Sequence, residues 1–249
     1  MTKTAIITGG VKGLGKAMAL HLARQGYNLV LTYHTDERAA HDTEQECKKA
    51  GASATMLRSN VARKQEVEEL FSLASKQYGS IDVLINNAGL NRDKPMLDLE
   101  EEDWDQVVDT NMKGTFLCSQ YAARYMLEQE HGGSIINIAA TTGITGRKNG
   151  LNYCASKAGI LVMTKCLAME LAPKIRVNCI LPGFIQTQEV EERYGTHDPE
   201  RLRAIVENIP LGRIGQPEEI AQAIDFLLSP GASFINGQKL IIDGGNYMY

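Results

Sequence analysis

The sequence has 249 residues, with 26 Lys+Arg against 30 Asp+Glu and a formal net charge of −4. Hydrophobic residues make up 43% and charged residues 22%, a balance that excludes a disordered chain and fits one α/β domain over residues 1–249. The mild acidity argues against a nucleic-acid binder, which needs a basic face.

Met1-Thr2-Lys3 runs straight into a strand-like Thr4-Ala5-Ile6-Ile7, so no signal peptide is expected. The densest apolar stretch, Ile160 to Met163, is far short of a membrane span, and a cytoplasmic location is expected. Strands are predicted at 3–8, 28–33, 53–57, 81–86, 133–139, 175–181 and 238–242. Several are Ile/Val/Leu runs without alternation, such as Ser134-Ile135-Ile136-Asn137-Ile138, the pattern of parallel strands covered on both faces. Helices are predicted between them at 13–26, 36–50, 63–78, 103–128, 152–172 and 216–228. The last opens on Pro217, Glu218 and Glu219, a helix-start signal. This alternation predicts a doubly wound parallel sheet in a three-layer α/β/α sandwich. The stretch 184–212, charged and broken by Gly195, Pro199 and Pro210, is expected to be an irregular lid over a site. The five Cys (47, 118, 154, 166 and 179) are scattered without a C-x-x-C pair, which fits reduced structural thiols. No His cluster has metal-ligand spacing either.

Thr8-Gly9-Gly10-Val11-Lys12-Gly13-Leu14-Gly15 joins the first strand to the first helix. Glycines allow a tight turn and close backbone approach, and a helix N-terminus favours a pyrophosphate. The strict G-x-G-x-x-G fingerprint is not present. An ATP-type P-loop from Gly10 to Lys16 fails at Ala17, where a hydroxyl must hold the magnesium ion.

Tyr153 and Lys157 stand four residues apart, on one face of the helix predicted at 152–172. A phenol is too weak an acid to act as a base at neutral pH, and a nearby ammonium favours its phenolate. Such a pair can pass a proton to or from a substrate oxygen. The helix is apolar around much of its circumference, so it is expected to be buried, in part against a partner subunit.

The spacing T-G-x-x-x-G-x-G, then Asn86-Asn87-Ala88-Gly89, Asn111, Tyr153-Cys154-Ala155-Ser156-Lys157 and Pro182-Gly183 with Thr187, occurs in one order. That ordered set resembles the short-chain dehydrogenase/reductase family over essentially the whole chain, to Asp243-Gly244-Gly245. The resemblance implies a Rossmann-type fold, a nicotinamide cofactor, hydride transfer between a ketone and a secondary alcohol, and a homotetramer. It implies that Gly9, Lys12, Gly13, Leu14 and Gly15 cradle the dinucleotide phosphates, and that Asn87, Ala88 and Gly89 line the adenosine side. Pro182, Gly183, Ile185 and Thr187 join the cofactor-binding set. Tyr153 becomes the acid/base, Lys157 its activator and cofactor clamp, and Asn111 a proton relay.

The pattern breaks once. The family usually carries a serine thirteen residues before the tyrosine, whose hydroxyl binds the substrate oxygen. Gly143 fixes the register, and Ala140 falls on that position. Three readings stay open: Thr141 supplies the hydroxyl, the alanine is a deliberate Ser→Ala change, or the chain is an impaired relative that binds nucleotide without turnover.

The second predicted strand ends Leu31-Thr32-Tyr33-His34-Thr35 with no carboxylate for a ribose 2′-hydroxyl, and Asp36 and Glu37 read as the start of the next helix. Lys12 and Arg38 suit a 2′-phosphate, which favours NADP(H) with NAD(H) as the alternative. Tyr33 and His34 are then cofactor contacts, as are Asn60 and Val61, where the family usually has Asp-Val.

Within the family the chain is most similar to 3-oxoacyl-acyl-carrier-protein reductases, through Pro210-Leu211-Gly212-Arg213 and the stretch Asn236 to Met248. This implies a small carbonyl or alcohol substrate, with Ala140 and Tyr153 against it, and a 3-oxoacyl thioester as the first candidate. A polyol or sugar is the alternative. Glu128-Gln129-Glu130-His131, just before the fifth strand, would repel an acidic acyl carrier protein, so docking of that partner is not expected.

Overall fold

Neighbouring residues on a strand point to opposite faces of a sheet. Ile6 and Ile7, Val30 and Leu31, Leu84 and Ile85, and Ile135 and Ile136 are four such pairs, and all eight side chains are fully enclosed. The sheet must therefore be covered on both sides. In the computed structural model, which describes residues 2–248, it is.

Seven strands, β1 (Thr4–Ile7), β2 (Asn28–Tyr33), β3 (Ala54–Arg58), β4 (Val83–Asn86), β5 (Gly133–Ile138), β6 (Ile175–Pro182) and β7 (Lys239–Ile242), form one sheet in the order β3-β2-β1-β4-β5-β6-β7. Every pairing is parallel. Ile6 is level with Val30 on one side and Leu84 on the other. The helices are α1 (Gly13–Arg24), α2 (Glu37–Lys49), α3 (Lys64–Tyr78), α4 (Glu101–Val108), α5 (Gly114–Glu128), α6 (Thr142–Thr145), α7 (Leu151–Leu171), α8 (Gln188–Tyr194), α9 (Pro199–Val206) and α10 (Pro217–Leu228). Met18 and Leu22 of α1, Cys47 of α2 and Ile220 and Ile224 of α10 pack on the face that carries Ile7, Leu31, Ile85 and Ile136. Phe71 of α3, Tyr121 and Met126 of α5 and Ala168 of α7 pack on the other face, with Ile6, Val30, Leu84 and Ile135. The expected three-layer α/β/α sandwich is the fold.

Strand and helix bounds lie within two residues of the expectation except in two places, and the short α6 has no counterpart in it. The helix expected at 103–128 is α4 and α5 joined by a π-helical turn, Asp109–Lys113. Gly114 is the reason at one end: a Cβ there would lie 2.7 Å from Val61 Cγ2, so the turn presses on β3's exit. Asn111 is the reason at the other, because the widened turn carries its side chain inward, fully buried. The stretch 184–212, expected to be irregular, holds α8 and α9. Each has a side-chain N-cap, Thr187 accepting from Val190 N–H and Asp198 from Glu200 N–H. Gly195 stops α8 with a left-handed φ of +64°.

Along α7, Ser156, Lys157, Ile160, Thr164 and Ala168 are buried against the sheet, whereas Val162 and Met169 are 61% and 74% exposed. Among the described residues, no helix is long and apolar enough to cross a membrane.

β2 lies on one side of β1 and β4 on the other, so the chain turns opposite ways at the carboxyl ends of these two strands. A crevice opens at such a switch point.

Candidate active site

The cleft at that crevice has a volume of about 640 Å³, within the range of small-molecule sites. One wall is the glycine turn. Gly9 and Gly13 take positive φ, +62° and +48°. A Cβ on Gly15 would lie 2.1 Å from the Gly9 carbonyl oxygen, so no other residue fits there. Lys12, the residue before α1, makes no side-chain cap, and α1 has no acidic residue in its first turn. The first N–H groups of α1 thus face the cleft uncapped, as an anion would require.

The turn after β4 is stitched to the glycine turn. Asn87 Nδ2 donates to the carbonyls of Thr8 and Gly9, both at 3.0 Å. Thr8 Oγ1 accepts from the N–H groups of Asn87 and Ala88, also both at 3.0 Å. Asn87 therefore shapes the cleft as well as lining it. Thr8 was visible in the sequence only as the first residue of the motif.

Tyr153 and Lys157 project from α7 into the same cleft. Lys157 Nζ sits 5.6 Å from the Tyr153 ring centroid and donates to the Ile138 carbonyl at 2.8 Å. Burial pulls its ammonium down to about 8, which leaves it largely charged at neutral pH. Burial pushes the Tyr153 phenol up to about 12; Glu189 adds to the rise, and Arg147 and Arg193 oppose it. Asn111 lies behind this pair and outside the cleft wall. Its Oδ1 accepts from Leu90 N–H at 2.8 Å, and its Nδ2 donates to the Leu90 carbonyl and to Ser156 Oγ at 3.0 Å. The asparagine fixes the β4 turn against α7, and a Cβ on Gly89 between them would sit 3.7 Å from Lys157 Nζ.

Residues 9–246 match the model of a family described as enoyl-(acyl carrier protein) reductase. The chain is 40% identical to 3-oxoacyl-[acyl-carrier-protein] reductase FabG of Staphylococcus aureus (strain Mu50 / ATCC 700699), over 100% of this chain and 99% of that one. It is 40% identical to the 3-oxoacyl-[acyl-carrier-protein] reductase of Synechocystis sp., over 99% and 98% of the two chains. Among solved structures, a point variant of actinorhodin polyketide ketoreductase with NADPH superposes with a TM-score of 0.94 at 33% identity, covering 100% of this chain and 98% of that one. A putative short-chain alcohol dehydrogenase from Sinorhizobium meliloti 1021 gives 0.92 at 33%, with 99% and 97% covered. The chain belongs to the short-chain dehydrogenase/reductase family. It is accordingly an NAD(P)-dependent oxidoreductase.

Most positions that the family resemblance marked meet in the cleft wall. Beside those described above, Leu14, Ala140, Thr141, Pro182, Gly183, Ile185 and Thr187 line it. The Thr187 methyl is 3.6 Å from where a Cβ on Gly13 would be, so the segment after β6 closes over the glycine turn. Thr141 is buried at the start of α6, and no hydrogen bond ties its hydroxyl to the described residues. The neighbouring Thr142 hydroxyl is enclosed without a partner among them.

Four expected cofactor contacts lie outside the wall. Tyr33 packs against the core beside α1 and α2. His34 presents its carbonyl to Arg58 Nε. Asn60 spends its side chain on its own turn, Oδ1 accepting from Ala62 N–H at 3.0 Å, and Val61 packs in the core against Gly114. Asp36, expected to open the next helix, does cap α2, but it also binds Lys12 at 2.5 Å. Lys12 holds the Asp36 carboxyl below its ordinary value, so this cation has a carboxylate partner that the sequence reading did not assign.

The segment 128–131 precedes β5, whereas the cleft lies where β5 ends, at Ile138. Within one chain these glutamates stand at the opposite end of the sheet from the site. His131 is tied there to Asp82 at 2.8 Å. The repulsion expected of an acidic partner does not apply at this chain's own cleft. The outer wall adds residues that sequence reasoning missed: Arg147, and Asn246 and Tyr247 near the C-terminus. Glu189, Arg193 and Tyr194 of α8 complete it.

Proposed function

We propose that the protein reduces the ketone of a 3-oxoacyl thioester to the secondary alcohol, with NADP(H) as its cofactor. The carrying observation is that Tyr153 and Lys157 share one wall of a cleft whose opposite wall is an uncapped, glycine-built helix N-terminus. The relatives named above supply the substrate class, and the NADPH-bound ketoreductase supports the cofactor.

The residues present fit a dinucleotide. Gly15 leaves room that any Cβ would fill, and Gly9, Gly13, Leu14 and Lys12 surround the phosphate position. Asn87, Ala88 and Gly89 follow along the floor, and Pro182, Gly183, Ile185 and Thr187 cover the other end. When bound, the reduced nicotinamide supplies a hydride. Tyr153 donates its phenolic proton to the oxygen of the substrate carbonyl. Lys157 stabilises the phenolate left behind, Asn111 holds the helix that carries the pair, and solvent restores the proton. Thr141 supplies the hydrogen bond to the carbonyl oxygen that Ala140 does not, since its hydroxyl is uncommitted and that of Thr142 is enclosed. Segment 184–212, with α8 in the cleft wall, acts as the lid.

The test is NADPH oxidation with acetoacetyl-CoA, run beside crotonyl-CoA, on the wild type and a Tyr153→Phe variant. Turnover of the ketone by the wild type only, with nucleotide binding retained in the variant, is expected. Equal turnover by the variant would sink the role of Tyr153. Turnover of crotonyl-CoA alone would assign the chain to carbon–carbon double bonds.

A further inference from the structure

Arg147 stands in the loop between α6 and α7, where neither helical period nor motif marks it. Its guanidinium carbon lies 4.8 Å from the Tyr153 ring centroid, closer than Lys157. Its side chain is 18% exposed and is held from two further directions. Nη2 pairs with Asp93 of the loop after β4 at 2.7 Å. Nη1 donates to Tyr194 Oη of α8 at 3.1 Å. Gly150 makes the room, because a Cβ there would lie 2.5 Å from Arg147 Nε. Gly150 has an ordinary φ of −110°, so its backbone does not require glycine; what it provides is space for the arginine. A long, flexible cation bonded to two other segments and laid against one ring is a built feature, since each restraint costs it rotamer freedom.

The charges around Tyr153 come from each element packed on it. Lys157 and the thiol of Cys154 share α7 with it. Glu189, Arg193 and Tyr194 come from α8, and Glu189 and Arg193 neutralise each other at 2.6 Å. Asp93 reaches the site through Arg147. Arg147, itself paired with Asp93, and Lys157 are the cations closest to the ring, at 4.8 and 5.6 Å from its centroid. Arg147 differs in one respect: its charge does not titrate in the working range of pH.

We propose that Arg147 is a positioning residue for the proton-transfer step, holding the Tyr153 ring in place and biasing its hydroxyl toward the phenolate by a fixed positive charge. The idea rests on the reading of Tyr153 as the acid/base. Burial alone drives the phenol the wrong way, and Arg147 opposes that drive.

The experiment has two readouts. The first is the pH profile of kcat/KM for NADP-dependent oxidation of 3-hydroxybutyryl-CoA, where the acid limb follows ionisation of the base. The second is the nucleotide-free protein with 3-fluorotyrosine at position 153. Fluorine makes the phenol more acidic, and its 19F shift follows ionisation. In Arg147→Gln both transitions should move up by about one pH unit, a tenfold loss of phenolate at a fixed lower pH. Arg147→Lys should recover most of that shift. Gly150→Ala, which pushes the guanidinium away while keeping its charge, should move both in the same direction as Gln. Unmoved transitions in folded Arg147→Gln overturn the proposal. So does an unmoved transition in Gly150→Ala, the variant that decides if Gln fails to fold. A Tyr153→Phe variant that still turns over would refute the parent reading, while the fluorine titration would still report on Arg147.

Discussion

Lys157 is 4% exposed, and the resulting burial makes a measurable demand on stability. Its ammonium falls from the ordinary value of 10.5 to about 8 in the folded chain. Each pH unit of difference is worth about 1.4 kcal/mol, so holding this charge in the fold costs about 3 kcal/mol at neutral pH. Replacing it with Met removes that cost. It also removes the hydrogen bond from Nζ to the Ile138 carbonyl, worth about 1 kcal/mol. Lys157→Met should therefore be the more stable protein at pH 7, by about 2 kcal/mol, or roughly 4–8 °C in Tm at this chain length. The sign with pH follows from proton counting. Between about 8 and 10.5 the unfolded chain holds this proton and the folded chain does not, so the wild type gains stability as pH rises through that window. Above it the variant's advantage should be gone. Urea unfolding of both nucleotide-free proteins across pH 7–10.5 tests this, because the other titrating groups cancel in the difference. A stability difference that stays flat with pH would refute the reasoning. A wild type more stable than the variant at pH 7 would mean that the Ile138 carbonyl and the Tyr153 ring together offset the burial of Lys157.

The remaining predictions concern the substrate and cofactor ends of the cleft. Thr141→Val should lower kcat by about 10², the usual cost of one donor to a developing oxyanion, and adding Ala140→Ser should restore most of it. Full activity in the single variant would remove Thr141 from the mechanism. Asp36→Asn keeps an equally good cap on α2 while freeing Lys12, so the KM for NADPH should fall by up to about fivefold and that for NADH by less. An equal change for both nucleotides would show that Lys12 does not read the 2′-phosphate.

The fold was legible because its signals are local and repeated. A parallel strand covered on both faces must be apolar at consecutive positions, and Ile6-Ile7 or Ile135-Ile136 says so without any partner in view. The glycine turn was legible for a similar reason, since Gly15 answers to a backbone atom six residues away, at Gly9. What escaped was set by contacts remote in sequence. Asn60 and Val61 were read from family position, but Asn60 is spent on its own turn and Val61 on Gly114, more than fifty residues downstream. Lys12 reads as a phosphate contact alone because its carboxylate partner, Asp36, is 24 positions away, past a strand.

Arg147 is the sharpest case. As sequence it is one cation in a polar, glycine-rich loop, and such cations are usually solvated. Its place depends on Asp93, Tyr153 and Tyr194, three residues from different parts of the chain, and on the room that Gly150 leaves. The motif that announces Tyr153 and Lys157 constrains one helix face. The groups that set how acidic that tyrosine is come from the loops around it, where the sequence has no period to read. Members of one fold can therefore share the tyrosine and lysine while differing in the charge that surrounds them.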